Sequence, residues 1–204
     1  MTWDPSTSDA ELLQAWRRGD KTAADALITR HGPRLYNFFA SKVGRSADDL
    51  CQQTLQECVE AHERIEENGG RHSFRSFLFA VARRRLLDHY RGSELEGQRI
   101  DPLEHSVADL EPGVSEAIAA REQQRRLGLA LRRLPVDFQI ALELLHWEGL
   151  TVAEISRVVE APEGTLEARL SRARKKLETL LHAEPSLAEA TVEGLLTEDD
   201  RGPE

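Results

Sequence analysis

Basic residues near the C-terminal end of the chain are the first group whose type and spacing could do chemistry. A helix predicted over 163–181 carries five cations on one face and an apolar stripe on the other. The cations are Arg169, Arg172, Arg174, Lys175 and Lys176, and the stripe is Leu166, Leu170, Ala173, Leu177 and Leu180. Such a face can hold nucleic-acid phosphates and place donors against base edges. An ordinary solvated helix surface shows the same pattern, so the choice between these two interpretations depends on the neighbouring elements.

The elements before this helix favour nucleic-acid binding. Thr151 and Glu154 form a capping box that opens a short helix over 152–159, and a tight turn follows at 160–162. A short capped helix, a tight turn and a long basic helix is the order of a helix-turn-helix, here roughly 134–181. The helices predicted upstream of it cover about 115–133 and 135–147.

A second cationic stretch lies at 71–92, which holds six arginines and one acid. Its predicted helix, about 74–91 and capped by Ser73, is apolar on two faces, so neighbouring helices should enclose it. Its candidate aromatic residues are Phe74, Phe77 and Tyr90. Aromatic rings beside arginines can stack on the bases of a single strand. The helical spacing of these rings is, however, more typical of a hydrophobic core.

The remaining N-terminal segments predict helices only. No alternating run of β-branched residues predicts a strand, and Ser8 with Glu11 forms another capping box. The predicted helices cover 8–18, then 21–39 with a break at 31–33, then 47–65 with a cap at Ser46 or Asp48, and a turn is predicted at 68–70. The sequence therefore predicts an all-α fold.

The net charge of −9 is unevenly distributed along the chain. Residues 93–118 hold seven acids and one arginine, as do residues 184–204, and the remainder is mildly basic with 25 basic and 22 acidic residues. Glycine, proline and one charge sign predict a flexible linker in the first stretch and a weakly ordered tail in the second. We therefore predict two small helical domains joined by a flexible linker, the C-terminal one a helix-turn-helix. The predicted boundaries are 1–92, 93–118, 119–182 and 183–204.

Several classes of protein are excluded by what the sequence lacks. No apolar run approaches the roughly 20 residues of a membrane-spanning helix, and no export signal begins the chain, so we expect a cytoplasmic location without membrane insertion. Cys51 and Cys58 lie two helical turns apart, about 10 Å, which is too far for a disulfide. Glycine-rich phosphate loops, metal-ligand spacings and nucleophile motifs are missing. We expect no metal, no cofactor and no catalysis.

Two separate motifs resemble the extracytoplasmic-function (ECF) sigma factors of the sigma-70 family. The motifs occur in that family's order and spacing, and together cover about two-thirds of the chain. The stretch from Leu134 to Lys175 is similar to region 4, the stretch 48–54 resembles region 2.2, and 74–91 is similar to regions 2.3 and 2.4. The region 4 match is carried by Leu134-Pro135, Trp147-Glu148-Gly149-Leu150-Thr151, Ala153-Glu154-Ile155, Pro162-Glu163-Gly164-Thr165-Leu166 and Arg169-Leu170-Ser171-Arg172-Ala173-Arg174-Lys175.

The resemblance implies partners and contact residues. The partners would be core RNA polymerase, through its β′ clamp and β flap, promoter DNA and, as is common in the family, an anti-sigma factor. The implied polymerase contacts are Asp48, Asp49, Gln52, Gln53 and Thr54. The implied contacts to the −10 element are Arg75, Arg83, Arg84 and Arg91, on backbone phosphates of the opened strand. The implied contacts to the −35 element are Thr165, Glu167, Ala168, Arg169, Ser171, Arg172 and Lys175.

The chain departs from the family pattern at four of these or neighbouring positions. Glu167 and Ala168 stand where the family often has a basic and a small hydroxyl residue, Glu160 replaces a turn glycine, and Arg84 replaces a frequent asparagine. Two alternatives therefore stay open beside a promoter-specificity factor. One is a dimeric helix-turn-helix regulator that does not bind polymerase. The other is a sigma-like interaction protein with weakened DNA recognition.

Overall fold

The structure is a computed structural model in which four stretches of the chain are described. They are residues 3–65, 73–92, 100–110 and 122–183, without the side chains of 122–125. The predicted turn at 68–70, the first part of the helix predicted at 115–133 and the acidic tail lie outside the described residues. Within these stretches the regular structure is helical and contains no strand, which confirms the all-α class.

Nine α-helices lie in the described part of the chain. They are α1 (Asp9–Arg17), α2 (Lys21–Val43), α3 (Ala47–Ala61), α4 (Phe74–Gly92), α5 (Val107–Leu110), α6 (Glu122–Arg132), α7 (Val136–His146), α8 (Val152–Val158) and α9 (Glu163–His182), with short 3-10 helices at Gly44–Ser46 and His62–Arg64. Every predicted helix has a counterpart among them. Helix α5 was not predicted.

The chain divides into two compact units. The first contains Met1–Ile100 and Leu150–Glu163, and the second contains Asp101–Gly149 and Gly164–Glu204. This grouping differs from the boundaries predicted from sequence, because α8 packs against α4 and so joins the first unit. The predicted boundary at 93–118 could not show this, since it rested on composition alone.

Helix α2 runs without interruption through Pro33. The predicted break at 31–33 is wrong. Proline removes one backbone hydrogen bond and costs about 3 kcal/mol in a helix interior. Buried side chains on both sides of it, including Leu27 and Leu35 at 0% exposed, hold the helix in the core of the first unit. Burial of each such side chain contributes about 1.5–3 kcal/mol, so packing outweighs the local penalty.

Among helices α1, α3 and α4, two begin with the cap that the sequence predicts and one does not. Both hydrogen bonds of the capping box between Ser8 and Glu11 are present at the start of α1, and the Ser73 hydroxyl accepts from the Ser76 amide at the start of α4. The predicted cap of α3 at Ser46 or Asp48 is wrong. Ser46 makes no side-chain cap, because a 3-10 helix leads directly into α3, and Asp48 lies inside the first turn.

Helix α4 is enclosed as predicted. Leu78, Leu86 and Tyr90 are 0% exposed, and Phe79 meets Phe38 of α2 edge to face at 5.6 Å between ring centroids. Helices α2, α3 and α8 all pack against it. The exposure of the arginines of α4 therefore differs from one position to the next, because the neighbouring helices cover part of its surface.

The middle of the predicted flexible linker is folded. We call residues 101–110 the strap; it is tied to the start of α7 by the Val136 amide donating to His105 O at 3.0 Å and the Asp137 amide donating to Pro102 O at 3.0 Å. Ser106 and Asp109 cap α5 within it. Val107 is 0% exposed. The flexible-linker prediction is therefore wrong over these residues, because two apolar side chains among the acids, Val107 and Leu110, anchor the segment.

The two cysteines are free thiols, as their spacing predicts. Burial raises the pKa of Cys51 to about 11, with the charge of Asp48 adding to the effect. Burial likewise raises the pKa of Cys58 to about 12. Both thiols therefore stay protonated near neutral pH, and a thiol in that form is a poor nucleophile.

Candidate nucleic-acid interface

Helix α8 begins with the capping box that the sequence predicts, and the turn that follows it begins with a strained residue. The capping box of Thr151 and Glu154 opens α8 with both hydrogen bonds present, and Ala161 N donates to Ser156 O at 2.8 Å. Glu160 has φ 53°, the only positive φ of a non-glycine residue in the described stretches. This left-handed conformation costs a side chain such as glutamate about 1 kcal/mol.

Helix α9 separates a buried face from an exposed one. The buried residues are Leu166, Leu170, Ala173, Leu177 and Leu181. Leu181 takes the place of the predicted Leu180, because a straight helix with 3.6 residues per turn drifts away from a strict seven-residue repeat. The predicted −35 contacts at Thr165, Glu167, Ala168, Ser171, Arg172 and Lys175 are exposed, and Arg169 is half-buried.

Arg172 is held in place on this exposed face. Its guanidinium carbon lies 5.9 Å from the centroid of the Phe138 ring in α7, and its Nε donates to Ala168 O at 3.2 Å. A cation over an aromatic face at an exposed site gains about 0.5–1 kcal/mol. The contact restricts the rotamers of Arg172 while leaving donors of the guanidinium group exposed. Arg172 is therefore restrained by two contacts on the exposed face of α9.

The arginines predicted to contact the −10 strand lie in different environments. Arg84 and Arg91 are exposed, and Arg75 is half-buried beside the N-terminus of α4. Glu57 of α3 contacts both Arg84 and Arg85, and the hydrogen bond from Arg84 holds the pKa of the Glu57 carboxyl below its usual range. Arg91 pairs with Asp88 at 2.8 Å. Surface pairs of this kind are weak enough to exchange for phosphate.

Arg83 departs from its prediction. Its side chain is 9% exposed and its Nη1 lies 3.7 Å from Oε1 of Glu160. The structure thus contradicts a phosphate contact by Arg83 in this arrangement, because the guanidinium faces the segment that contains α8 and not solvent. Sequence spacing could not reveal this, since the two residues are 77 positions apart.

The aromatic candidates divide in the same way. Phe74 and Tyr90 are 1% and 0% exposed, so they belong to the core and cannot stack on bases in this arrangement. Phe77 is half-buried and lines a groove of about 290 Å³ together with Ser76 and Arg157. Of the three rings, only Phe77 therefore stays a candidate for stacking.

Two arginines that the sequence did not single out lie beside Arg75. A groove of about 390 Å³ brings Arg30 and Arg34 of α2 together with Arg75. Arg30 donates to Asp9 at 2.7 Å, and His31 lies 2.8 Å from the same carboxylate. Burial alone raises the pKa of Asp9, but the hydrogen bonds and charges of His31 and Arg30 outweigh it and lower that pKa. Helix packing produces this cluster, so no local pattern could have found it.

The candidate polymerase-binding residues lie at the start of α3. Asp48, Asp49 and Gln52 are exposed, and Gln53 donates to Asp49 at 2.7 Å. The prediction for Thr54 is wrong. Thr54 is 0% exposed and its hydroxyl donates to Leu50 O at 2.7 Å, so its polar group is satisfied within α3 and is not accessible to a partner.

The described residues contain no helix long and apolar enough to cross a membrane. They also contain no cluster of three or more histidine, cysteine or acidic side chains that could hold a metal ion.

Comparison with protein families matches both halves of the chain. Residues 27–95 match the model of Sigma-70 region 2, and residues 124–177 match that of Sigma-70, region 4. The chain is 33% identical to the ECF RNA polymerase sigma factor SigM of Mycobacterium tuberculosis over 85% of both chains. It is 26% identical to the RNA polymerase sigma-H factor of Pseudomonas aeruginosa, over 89% of this chain and 97% of that one. The chain belongs to the sigma-70 family, and within it to the ECF sigma factors.

Solved structures show the same fold. CnrH in complex with the cytosolic domain of CnrY aligns with a TM-score of 0.62 at 23% identity, covering 87% of this chain and 99% of that one. RpoE in complex with the anti-sigma factor NepR from Bartonella quintana aligns with a TM-score of 0.59 at 21% identity, covering 78% and 97%. The family models and the 33% identical relative show that this chain is an RNA polymerase sigma factor acting in transcription initiation, and sigma factors are initiation factors, not enzymes.

Proposed function

We propose that the chain binds core RNA polymerase and brings it to promoters through two DNA contacts, one from α9 to the duplex −35 element and one from α4 to the opened −10 strand. The observation that carries this proposal is the exposed face of α9, where six of the seven predicted −35 positions are open to solvent above a buried apolar face. Donors and cations are thereby available to base edges and phosphates.

Recognition at the −35 element includes one carboxylate. Glu167 is exposed near the N-terminus of α9, close to Thr165 and Ala168. A carboxylate can accept a hydrogen bond from cytosine N4 but repels nearby phosphates. We therefore expect Glu167 to act by selecting against most bases, with affinity supplied by Arg169, Arg172 and Lys175. We therefore expect the −35 sequence bound by this chain to differ from the sequences bound by relatives that have a basic residue at this position.

Contacts with partners follow the same assignment. Asp48, Asp49 and Gln52 of α3 would meet the β′ clamp, and the C-terminal helices would meet the β flap. Two sigma factors of the same fold were solved with the cytosolic domain of CnrY and with the anti-sigma factor NepR, which supports an anti-sigma partner here as well. The chain itself would act in the cytoplasm, without catalysis of its own.

Binding to core polymerase separates this function from that of a dimeric DNA-binding regulator. In a fluorescence titration of full-length chain with core polymerase, we expect tight binding by the wild type and about tenfold weaker binding by the double variant D48N/D49N. Loss of rim charges weakens association by slowing encounter. The measurement is the dissociation constant at two salt concentrations.

Asp25→Asn is the matched control, because Asp25 is an exposed aspartate on α2 of the same unit. It should leave the dissociation constant unchanged, and thermal unfolding should show that all variants remain folded. Absence of binding by the wild type would contradict the proposal, whereas equal binding by the double variant and the control would remove only the assignment of α3.

A further inference from the structure

The exposed side of α9 carries a concentration of cations in one short stretch. Residues 168–177, which we call the basic run, contain five basic residues and no acid. They are the exposed Arg172, Lys175 and Lys176 and the half-buried Arg169 and Arg174. Glu167 and Glu178 flank the run, and Glu178 lies 3.9 Å from His182, outside it. Five positive charges are thereby concentrated on about 15 Å of helix.

The arginines of α4 differ from the basic run, because carboxylates already contact them. Glu57 contacts both Arg84 and Arg85, and Arg91 pairs with Asp88 at 2.8 Å. Each of these pairs reduces the positive charge that a further acidic segment would meet. An additional acidic segment of the chain is therefore attracted more strongly by the basic run than by these arginines.

One acidic side chain of the second unit already lies near the basic run. Asp109 belongs to the strap, and hydrogen bonds from Ser106 hold the pKa of its carboxyl below its usual range. The positive charge of Lys176 contributes to the same lowering. A nearby opposite charge favours the ionised form of a carboxyl. The basic run therefore stabilises a carboxylate of this chain, as it would stabilise a phosphate of DNA.

The acidic tail, residues 184–204, follows α9 directly. Helix α9 ends at His182, and the tail carries seven acids and one arginine. Its densest group of acids is Glu198-Asp199-Asp200, which we call the acidic triplet. The chain thus attaches a segment with a net charge of −6 to the end of the helix that carries the basic run.

The length of chain between α9 and the acidic triplet matches the distance from the end of α9 to the basic run. At 1.5 Å per residue, Lys175 lies about 12 Å and Arg169 about 21 Å from Ala183 along the helix axis. A coil of about 15 residues, as many as separate Ala183 from Glu198, has an r.m.s. span of about 20 Å. A tether whose r.m.s. length matches the span gives the highest effective concentration, in the mM range. Ion pairs too weak to join separate molecules can therefore form within this chain.

From these observations we propose that the acidic tail docks on the basic run of α9 in the free chain, through Glu198, Asp199 and Asp200, and competes there with the phosphates of duplex DNA. The inference rests on the proposed function of α9. Duplex DNA carries one negative charge per about 1.7 Å of helix axis, a higher density than the tail as a whole has, so it displaces the tail at sufficient concentration. Because the competition is internal, the tail lowers the affinity for every duplex by the same factor and leaves the preference among sequences unchanged.

The test compares two triple variants of equal net charge. E198Q/D199N/D200N removes the charges of the acidic triplet, and E94Q/E96Q/E111Q removes three charges from the other acidic stretch, 93–118. General attraction to DNA changes equally in both, so a difference between them reports where the charges lie. Each full-length protein is titrated with two fluorescein-labelled duplexes of unrelated mixed sequence, at low and at high salt, with fluorescence anisotropy as the signal.

We expect the triplet variant to bind both duplexes about fivefold more tightly than the control variant at low salt, because the tethered competitor is removed. The difference should disappear at high salt, since exposed charges are then screened. Equal affinities of the two variants at low salt would overturn the inference, as would a gain limited to one of the two duplexes.

Carbodiimide cross-linking of the wild-type chain locates the contact itself. The reagent joins a carboxylate to a neighbouring lysine amine, so Lys175 and Lys176 report which acids lie beside them. We expect intramolecular cross-links from these lysines to residues 198–200, identified by mass spectrometry and prevented by duplex DNA. Absence of these cross-links would contradict the docking of the tail.

The proposed function of α9 is tested separately in the same titrations by the variant Arg172→Gln. If duplex binding depends on Arg172 while the two triple variants bind equally, only the docking of the tail is wrong. If duplex binding does not depend on Arg172, the proposed DNA contact of α9 is wrong, whatever the cross-links show.

Discussion

Replacement of Val107 by aspartate is expected to unfold the second unit locally and to abolish binding of duplex DNA. Val107 is 0% exposed in the strap, and aspartate there would bury an unpaired charge in place of an apolar side chain. We expect a loss of about 3 kcal/mol or more in the free energy of unfolding of this unit. The strap is bonded to the amides of Val136 and Asp137, so their hydrogen exchange reports the change directly.

Leu103→Asp is the matched control for this prediction. Leu103 belongs to the same acidic strap, but it is 37% exposed, and the same kind of substitution should cost less than about 1 kcal/mol there. Native-state hydrogen exchange of the Val136 and Asp137 amides, together with binding of duplex DNA, is measured for both variants. If Val107→Asp behaves like Leu103→Asp, residues 101–110 are a flexible linker after all.

Arg172→Gln is expected to weaken binding of the holoenzyme to promoter duplex by about tenfold. The guanidinium is exposed on α9 and the Phe138 ring restricts its orientation, so a contact with DNA would require little further ordering of this side chain. A bidentate contact to a guanine distinguishes it from a wrong base by about 1–3 kcal/mol. The measurement is the dissociation constant for promoter duplex, repeated across a series of salt concentrations and on a duplex of unrelated sequence.

Lys176→Gln removes the same charge from the same helix outside the predicted contact set. It should change the affinity much less. If Arg172 contacts a base, Arg172→Gln should reduce the difference between the affinities for the promoter duplex and for the unrelated duplex. If it contacts only phosphate, both affinities should decrease together, and the slope of log affinity against log salt concentration should decrease by about 0.9. Equal effects of the two substitutions would contradict a specific contact by Arg172, since each would then weaken binding only through the general positive charge of α9.

Local chemistry made the two capping boxes predictable. The boxes Ser8/Glu11 and Thr151/Glu154 need only residues three positions apart, and both form as the sequence indicates. The enclosure of α4 was also predictable, because apolar residues on two faces have no other place to go. The buried face of α9 required only its periodicity. Each of these features depends on contacts within one helix or on one hydrophobic pattern.

Features that depend on packing between distant segments were not predictable. Pro33 stays inside α2 because residues on both sides of it are buried, and intrinsic helix propensity takes no account of such packing. Thr54 belongs to the motif predicted to contact polymerase, but its position on α3 directs it into the core. The contact of Arg83 with Glu160 joins segments that composition assigns to different domains. Sequence spacing therefore placed most of the predicted contact residues on exposed surfaces of the helices, but it misplaced the residues whose burial depends on packing between distant segments.

Transcription with purified components tests the central claim most directly. Core RNA polymerase is incubated with the full-length chain and a library of duplex genomic fragments, and the 5′ ends of the transcripts are mapped. We predict transcripts that depend on the chain and start downstream of two shared sequence elements at a fixed spacing, and that decrease with Arg172→Gln but not with Lys176→Gln. Start sites identical to those of core polymerase alone would contradict the account.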